Sequence, residues 1–244
     1  MALKALIFDV DGTLAETEEA HRAAFNLAFA DAGLNWHWDQ AIYRDLLRVT
    51  GGKERIAHFA PDTKADIPAL HAAKNRHYAC IVARGEVGLL PGVFALMIEA
   101  QARGILIALA TTTSRTNVDS LIAATPLSSV DFAAIVTGED VTAKKPDPEA
   151  YIIALDRLGV DAGEAMAFED SVNGLNAAIF AGIKCVVIPG LYTIGDNFAE
   201  AHLLFSKIDN FCLERALRDL GRDDIFLNRL CEERSDEAIQ TVYR

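Results

Sequence analysis

The chain has 244 residues, 51% of them hydrophobic and 24% charged, proportions that suit a soluble globular protein with one large domain or a core carrying an insertion. Its net charge of −12 argues against nucleic acid and anionic membrane surfaces as partners. A phosphorylated small molecule stays open, because a metal or local Lys and Arg can offset the field in one cleft. No apolar run approaches the ~20 residues of a membrane span. The four cysteines (Cys80, Cys185, Cys212 and Cys231) are scattered without metal or disulfide spacing, and the sequence enters a strand pattern directly, without a signal segment. A cytoplasmic monomer is expected.

Ala5 to Phe8 is a short apolar run of the kind buried on both faces of a parallel sheet. It ends in Asp9-Val10-Asp11-Gly12-Thr13. Asp-Gly is also a hairpin turn signal, but no second strand follows. Instead a helix opens at Glu16–Glu19, with Ala20, Ala23, Ala24, Leu27 and Ala28 as its apolar stripe and Gly33 at its end. Trp36 and Trp38 sit in a packed connection. Helical patterns follow at Asp39–Val49, Lys53–Phe59 and Ile67–Ala83, so residues 17–87 are all-helical. They form a helical cap domain inserted into an α/β core of residues 1–16 and 88–220.

Leu90-Pro91-Gly92 marks the return to the core. A helix with Val93, Leu96, Met97 and Ala100 inward stops at Gly104, and Ile105–Ala110 is a second buried strand. Its end carries four hydroxyls, Thr111-Thr112-Thr113-Ser114. A helix around Val118–Ala124 and a strand near Ala133–Val136 repeat the alternation. Asp147 and Pro148 suit the N-cap and first turn of a helix over Glu149–Leu158. A strand at Ala165–Phe168 ends in Glu169-Asp170-Ser171, a helix runs to Phe180, and Cys185–Ile188 is a further strand. Leu203–Phe205 suits an edge strand and Cys212–Leu220 a short helix. Residues 221–244 read as a charged tail without a periodic core face. The fold class is α/β: a doubly wound parallel sheet, Rossmann-like, with an all-helical insertion.

Strand ends of such a sheet converge at its carboxyl edge, which brings Asp9, Asp11, Thr111, Glu169 and Asp170 together, with Lys145 in the loop after the third strand. Carboxylates clustered this densely need a hard cation, and an oxygen-only donor set suits Mg²⁺. A lysine and a hydroxyl beside it would hold phosphoryl oxygens. In the helical stretch, Gly51-Gly52-Lys53 with Arg55 nearby offers amides and cations for a second phosphate. Glu18 and His21, three residues apart, face one mouth and could hydrogen-bond sugar hydroxyls. Ser114 and Asn117 are further candidates for substrate contact.

The ordered set Asp9-x-Asp11-Gly12-Thr13, Thr111, Lys145-Pro146 and Glu169-Asp170-Ser171 resembles the four motifs of the haloacid dehalogenase superfamily, and the helical insertion resembles its type I cap. A narrower resemblance is to the CbbY-type sugar-bisphosphate phosphatases. It rests on Ala15-Glu16-Thr17-Glu18-Glu19, His21-Arg22, Trp36-x-Trp38-Asp39, Thr50-Gly51-Gly52-Lys53-Glu54-Arg55 and Ala110-Thr111-Thr112-Thr113-Ser114. The resemblance implies Asp9 as nucleophile and Asp11 as general acid and base. It implies Mg²⁺ on Asp9, Asp170 and the backbone carbonyl of Asp11, with Glu169 in or beside the shell. Thr111 and Lys145 would orient phosphoryl oxygens, and Lys74 resembles the cap lysine of the family. Asp at position 11 removes the dehalogenase reading. The implied substrate is a ketopentose bisphosphate such as xylulose 1,5-bisphosphate. A β-phosphoglucomutase-like mutase, a phosphoglycolate phosphatase and a non-catalytic sugar-phosphate binding protein stay as alternatives.

Overall fold

The computed structural model describes residues 2–208 and 211–214. Strands β1 (Ala5–Phe8), β2 (Leu106–Ala110), β3 (Phe132–Val136), β4 (Ala165–Glu169), β5 (Lys184–Val187) and β6 (Leu203–Leu204) pair in parallel in the order β3-β2-β1-β4-β5-β6. β1 therefore lies between β2 and β4, where the order reverses and a crevice opens at the carboxyl edge. The Asp11-Gly12 pair makes no hairpin, because both neighbours of β1 are parallel.

The period of two along each strand sorts large from small side chains. Leu6, Phe8, Ile107, Leu109, Met166 and Phe168 fill one face with α5 (Val93–Ala102) and α6 (Arg115–Ala124). On the other face Ala5, Ile7, Ala108, Ala110, Ala165 and Ala167 meet α7 (Glu149–Leu158) and α8 (Val172–Phe180). The alanines let those helices approach closely, and they leave room for the whole of Tyr151, which is fully buried there. The first face is tied together by Phe8 stacked on Phe168, ring centres 4.5 Å apart.

Between β1 and β2 the chain runs through α1 (Glu18–Asp31), α2 (Gln40–Leu46), α3 (Gly52–Phe59) and α4 (Ile67–Ala83) before α5. These four helices have a core of their own, built on Phe25, Phe29, Trp38 and Tyr43. Trp38 lies at its centre with Phe25, Phe29 and Phe59 at 4.6, 4.9 and 5.5 Å. Its backbone is clamped to α1, where Asn26 accepts from the Trp38 N–H at 2.8 Å and donates to its carbonyl at 2.9 Å. The two connections to the sheet run side by side, Leu90 N–H donating to the Leu14 carbonyl at 2.8 Å.

Several boundaries differ from those expected. The first helix begins at Glu18, inside the expected Glu16–Glu19 opening, with Thr17 at the N-cap making no cap hydrogen bond because its hydroxyl donates to Asp11. Asp39 caps α2, which already stops at Leu46. α6 starts earlier than expected, at Arg115, with Ser114 as N-cap accepting from Asn117 N–H. Pro148, not Asp147, is the N-cap of α7, and the Asp147 carboxylate instead accepts from Glu149 N–H at 3.0 Å. β6 is two residues long. The helix expected over Cys212–Leu220 lies mostly, and Cys231 and the charged tail of 221–244 wholly, outside the described residues. No helix among the described residues is long and apolar enough to cross a membrane.

Removing the Trp38 indole empties the centre of the helical core. Trp38→Ala should cost about 3–5 kcal/mol, read as a lowered urea midpoint; a loss under about 1 kcal/mol would mean that this cluster does not hold α1–α4 together.

Candidate active site

The floor of the site is made by strand ends. Asp9 follows β1 and Thr111 follows β2, while Glu169 closes β4 and Asp170 comes next. The alternation that turns Ala165 and Ala167 toward α7 and α8 turns Glu169 there too, so its carboxylate is fully buried. Lys145 arrives from the loop after β3 and ties the ends together. Its Nζ donates to Asp9 Oδ1 at 2.6 Å, to the Ala110 carbonyl at 2.8 Å and to Glu169 Oε1 at 2.6 Å. Two glycines make room for the acids. A Cβ on Gly12, whose φ is +80°, would overlap the Asp170 carboxylate, and one on Gly174 would overlap that of Glu169.

Asp9, Glu169 and Asp170 each offer an oxygen, and these atoms lie within 4.8 Å of one another. Lys145 alone does not balance them. Burial first, then Glu169 and Asp11, push Asp9 up to about 8 against the pull of Lys145. Burial first, then Asp9 and Glu169, push Asp170 well above the carboxylate range. Glu169 Oε2 is buried without a hydrogen-bond partner. Buried carboxylates short of positive charge, with oxygen as the donor atom, fit a divalent cation.

Asp11 turns the other way. Its Oδ1 accepts from the Thr17 hydroxyl at 2.7 Å and pairs with His21 Nε2 at 2.9 Å. His21 Nδ1 lies 2.8 Å from Lys74 Nζ, and an ammonium only donates, so Nδ1 accepts and Nε2 carries the proton given to Asp11. Burial raises the Asp11 pKa, but His21, Thr17 and Lys74 together outweigh it and hold the group below the usual carboxylate range. His21 lines the cavity beside Glu18, with both ring nitrogens partnered and the ring stacked on Tyr78 at 4.1 Å. Lys74 is likewise buried, not on a solvated helix face.

Above the floor, α1–α4 form a roof over a cavity of about 670 Å³. Glu18, Thr50, Gly51, Gly52, Lys53, Glu54, Arg55 and Lys74 line it from the roof, and Ser114 and Asn117 from the core. Some of these side chains already have partners. Glu18 accepts from the Tyr43 hydroxyl at 2.7 Å, and Arg55 donates to the Leu46 carbonyl at 3.2 Å and to Tyr43 Oη at 3.1 Å. Glu54 accepts from Lys144 across the mouth at 2.7 Å, and Asn173 donates to the Thr50 hydroxyl at 3.2 Å. The wall also contains Arg44, Arg48, His71 and Tyr192, which the sequence reading did not name. Arg44 and Arg48 are four residues apart, and His71 is one turn before Lys74, so both spacings offered a signal. Asn173 lies in the first turn of α8 and Tyr192 in the loop after β5, and neither carried a site signal of its own.

Sheet order, crossover positions and the floor of acids with one lysine define a haloacid dehalogenase-like hydrolase. The family model described as "Haloacid dehalogenase-like hydrolase" matches residues 6–188, and the chain belongs to that family of enzymes. Among curated proteins it is 52% identical over 209 residues to Protein CbbY of Rhodobacter capsulatus, covering 82% of this chain and 92% of that protein. Protein CbbY of Cereibacter sphaeroides is 47% identical over 213 residues, with 84% and 92% covered. A crystal structure of a point mutant of CbbY from Rhodobacter sphaeroides in complex with xylulose-(1,5)bisphosphate is 46% identical, with TM-score 0.81, covering 85% of this chain and 96% of that one.

Burial pulls the Lys74 pKa down from 10.5 to about 8. Between these values the unfolded chain holds the proton that the folded protein has released, so stability rises with pH across that window. The urea midpoint of the ligand-free wild type should therefore climb from pH 8 to 10 relative to that of Lys74→Met; parallel pH profiles would show that Lys74 is not a desolvated cation.

Proposed function

We propose that this protein is a Mg²⁺-dependent phosphatase of a small sugar bisphosphate, of the ketopentose 1,5-bisphosphate class. One observation carries the reading: the 670 Å³ cavity sets clustered acids on its floor against a roof bearing Arg44, Lys53, Arg55 and Lys74, with Lys144 at the mouth. One phosphate would meet the acids and the cation they hold, and the other would meet the roof. The CbbY structure in complex with xylulose-(1,5)bisphosphate supports this division, because the similarity covers both floor and roof.

In this reading an Asp9 oxygen attacks phosphorus, and the bond from phosphorus to the sugar oxygen breaks. Asp11 gives that oxygen its proton. Negative charge on the bound phosphate raises the Asp11 pKa from its low resting value, which makes the protonated form accessible. Asp11 then takes a proton from water, the hydroxide attacks phosphorus, and Asp9 leaves with phosphate released. Asp9, Asp170 and the Asp11 carbonyl would hold Mg²⁺, with Glu169 beside it. The bound ion would neutralise charge on the transferring phosphoryl group. Thr111 and Lys145 would steady the phosphoryl oxygens, and the roof excludes water until the sugar has left.

Phosphate release should be selective for a ketopentose bisphosphate over β-glucose 1-phosphate and phosphoglycolate, and abolished by EDTA. Asp9→Asn should lower it to background with the fold retained, and Asp11→Asn should cost about 10²–10⁴-fold in kcat. Conversion of β-glucose 1-phosphate to the 6-phosphate with little phosphate release would make the protein a mutase; phosphoglycolate as the sole good substrate would also overturn the reading.

The Lys144–Glu54 pair tests the roof. Lys144→Ala should raise KM for the bisphosphate about 10-fold or more, the loss of one charge-assisted contact, and should leave KM for a sugar monophosphate within about twofold. Equal effects on both substrates would place the second phosphate elsewhere.

A further inference from the structure

We propose that Tyr151 is a positioning residue for phosphoryl transfer: its phenol keeps Glu169 Oε1 partnered so that Lys145 can exchange that oxygen for a phosphoryl oxygen. The proposal rests on the phosphatase reading and goes beyond it, since Tyr151 belongs to none of the motifs and lies beneath the cavity, not in its wall.

An ammonium has three N–H groups. Lys145 directs all three to protein oxygens, on Asp9, Ala110 and Glu169. None remains for the incoming phosphoryl group, so one bond must be traded. Among the described residues, Glu169 is the one of these three acceptors with a second side-chain donor. The Tyr151 hydroxyl donates to the same Oε1 at 2.6 Å. When Lys145 leaves, Oε1 keeps a partner, whereas a buried acceptor left without one is destabilised.

The rest of the surroundings confines the exchange to the ammonium. Glu169 cannot withdraw toward α8, because its carboxylate already lies where Gly174 lacks a Cβ. The Tyr151 ring lies 5.0 Å from Lys145 Nζ, close enough for a cation–π contact that holds the charge whichever oxygen it faces. Tyr151 is held by α7 in the alanine-rich layer, in one buried cluster with Ala108, Ala110 and Ala167.

The test uses the full-length protein, with inorganic phosphate as probe. Its dissociation constant is measured by calorimetry with and without Mg²⁺, beside kcat and the melting temperature, for wild type, Tyr151→Phe, Glu169→Ala and the double variant. Tyr151→Phe should weaken phosphate about tenfold, equivalent to about 1.4 kcal/mol, and should lower kcat. In the Glu169→Ala background the same change should have no further effect, because the phenol acts through that carboxylate. A Tyr151→Phe protein with a lowered melting temperature but phosphate affinity and kcat within about twofold of wild type would overturn the proposal. So would additive losses in the double variant. A wild type that binds no phosphate and hydrolyses no sugar phosphate would instead overturn the functional reading, and this proposal with it.

Discussion

Lys145 is the constraint on which the site depends. Its ammonium joins the ends of three adjacent parallel strands, through Asp9 after β1, the Ala110 carbonyl of β2 and Glu169 of β4. Each contact crosses a boundary between strands, so the lysine fixes the relative depth of the acids at the point where strand order reverses. Removing it would leave two carboxylates buried without that partner, a change that costs about 3–5 kcal/mol where one member of a buried pair is deleted. One cation among Asp9, Glu169 and Asp170 is still too few, and the raised pKa values of Asp9 and Asp170 express that deficit. The floor is therefore both tightly positioned and short of positive charge. That state favours a divalent ion and an anion bound together.

The roof is attached to this floor by polar contacts. Lys144 with Glu54, Asn173 with Thr50, and the Arg44 guanidinium with the Leu191 carbonyl all span the two parts. Lys144 and Lys145 are consecutive, so one faces the roof while the other faces the acids. Asp11 takes part in both, since its backbone follows β1 and its carboxylate is held by Thr17 and His21 at the entry to α1. The chain Asp11–His21–Lys74 thus connects a proposed acid–base group to the last helix of the insertion.

Much of this was legible in the sequence because it rests on local rules. The apolar runs at Ala5–Phe8 and Ile105–Ala110 mark buried strands, and the acids after the first and the hydroxyls after the second mark the carboxyl edge. The bounds of α4 agree with the apolar pattern at both ends. Elsewhere a tertiary contact overrode the local signal. Thr17 read as part of a helix start, but its hydroxyl serves Asp11. His21 lines the cavity as its place beside Glu18 suggested, but its partners Asp11 and Lys74, 10 and 53 residues away, were not legible. Tyr151 carried no signal as a site residue, because its importance depends on which face of the sheet Glu169 turns to. Asn173 and Tyr192 reach the cavity through long-range packing that no periodicity encodes.

The central claim is that the floor transfers a phosphoryl group through Asp9. It is tested most directly by acid-quenching the wild type during turnover of a ketopentose bisphosphate with Mg²⁺ and mapping the modified peptide by mass spectrometry. A phosphoryl adduct on the peptide carrying Asp9, absent from Asp9→Asn, is the predicted result. Steady phosphate release with no adduct at any quench time, or an adduct on a different residue, would contradict it.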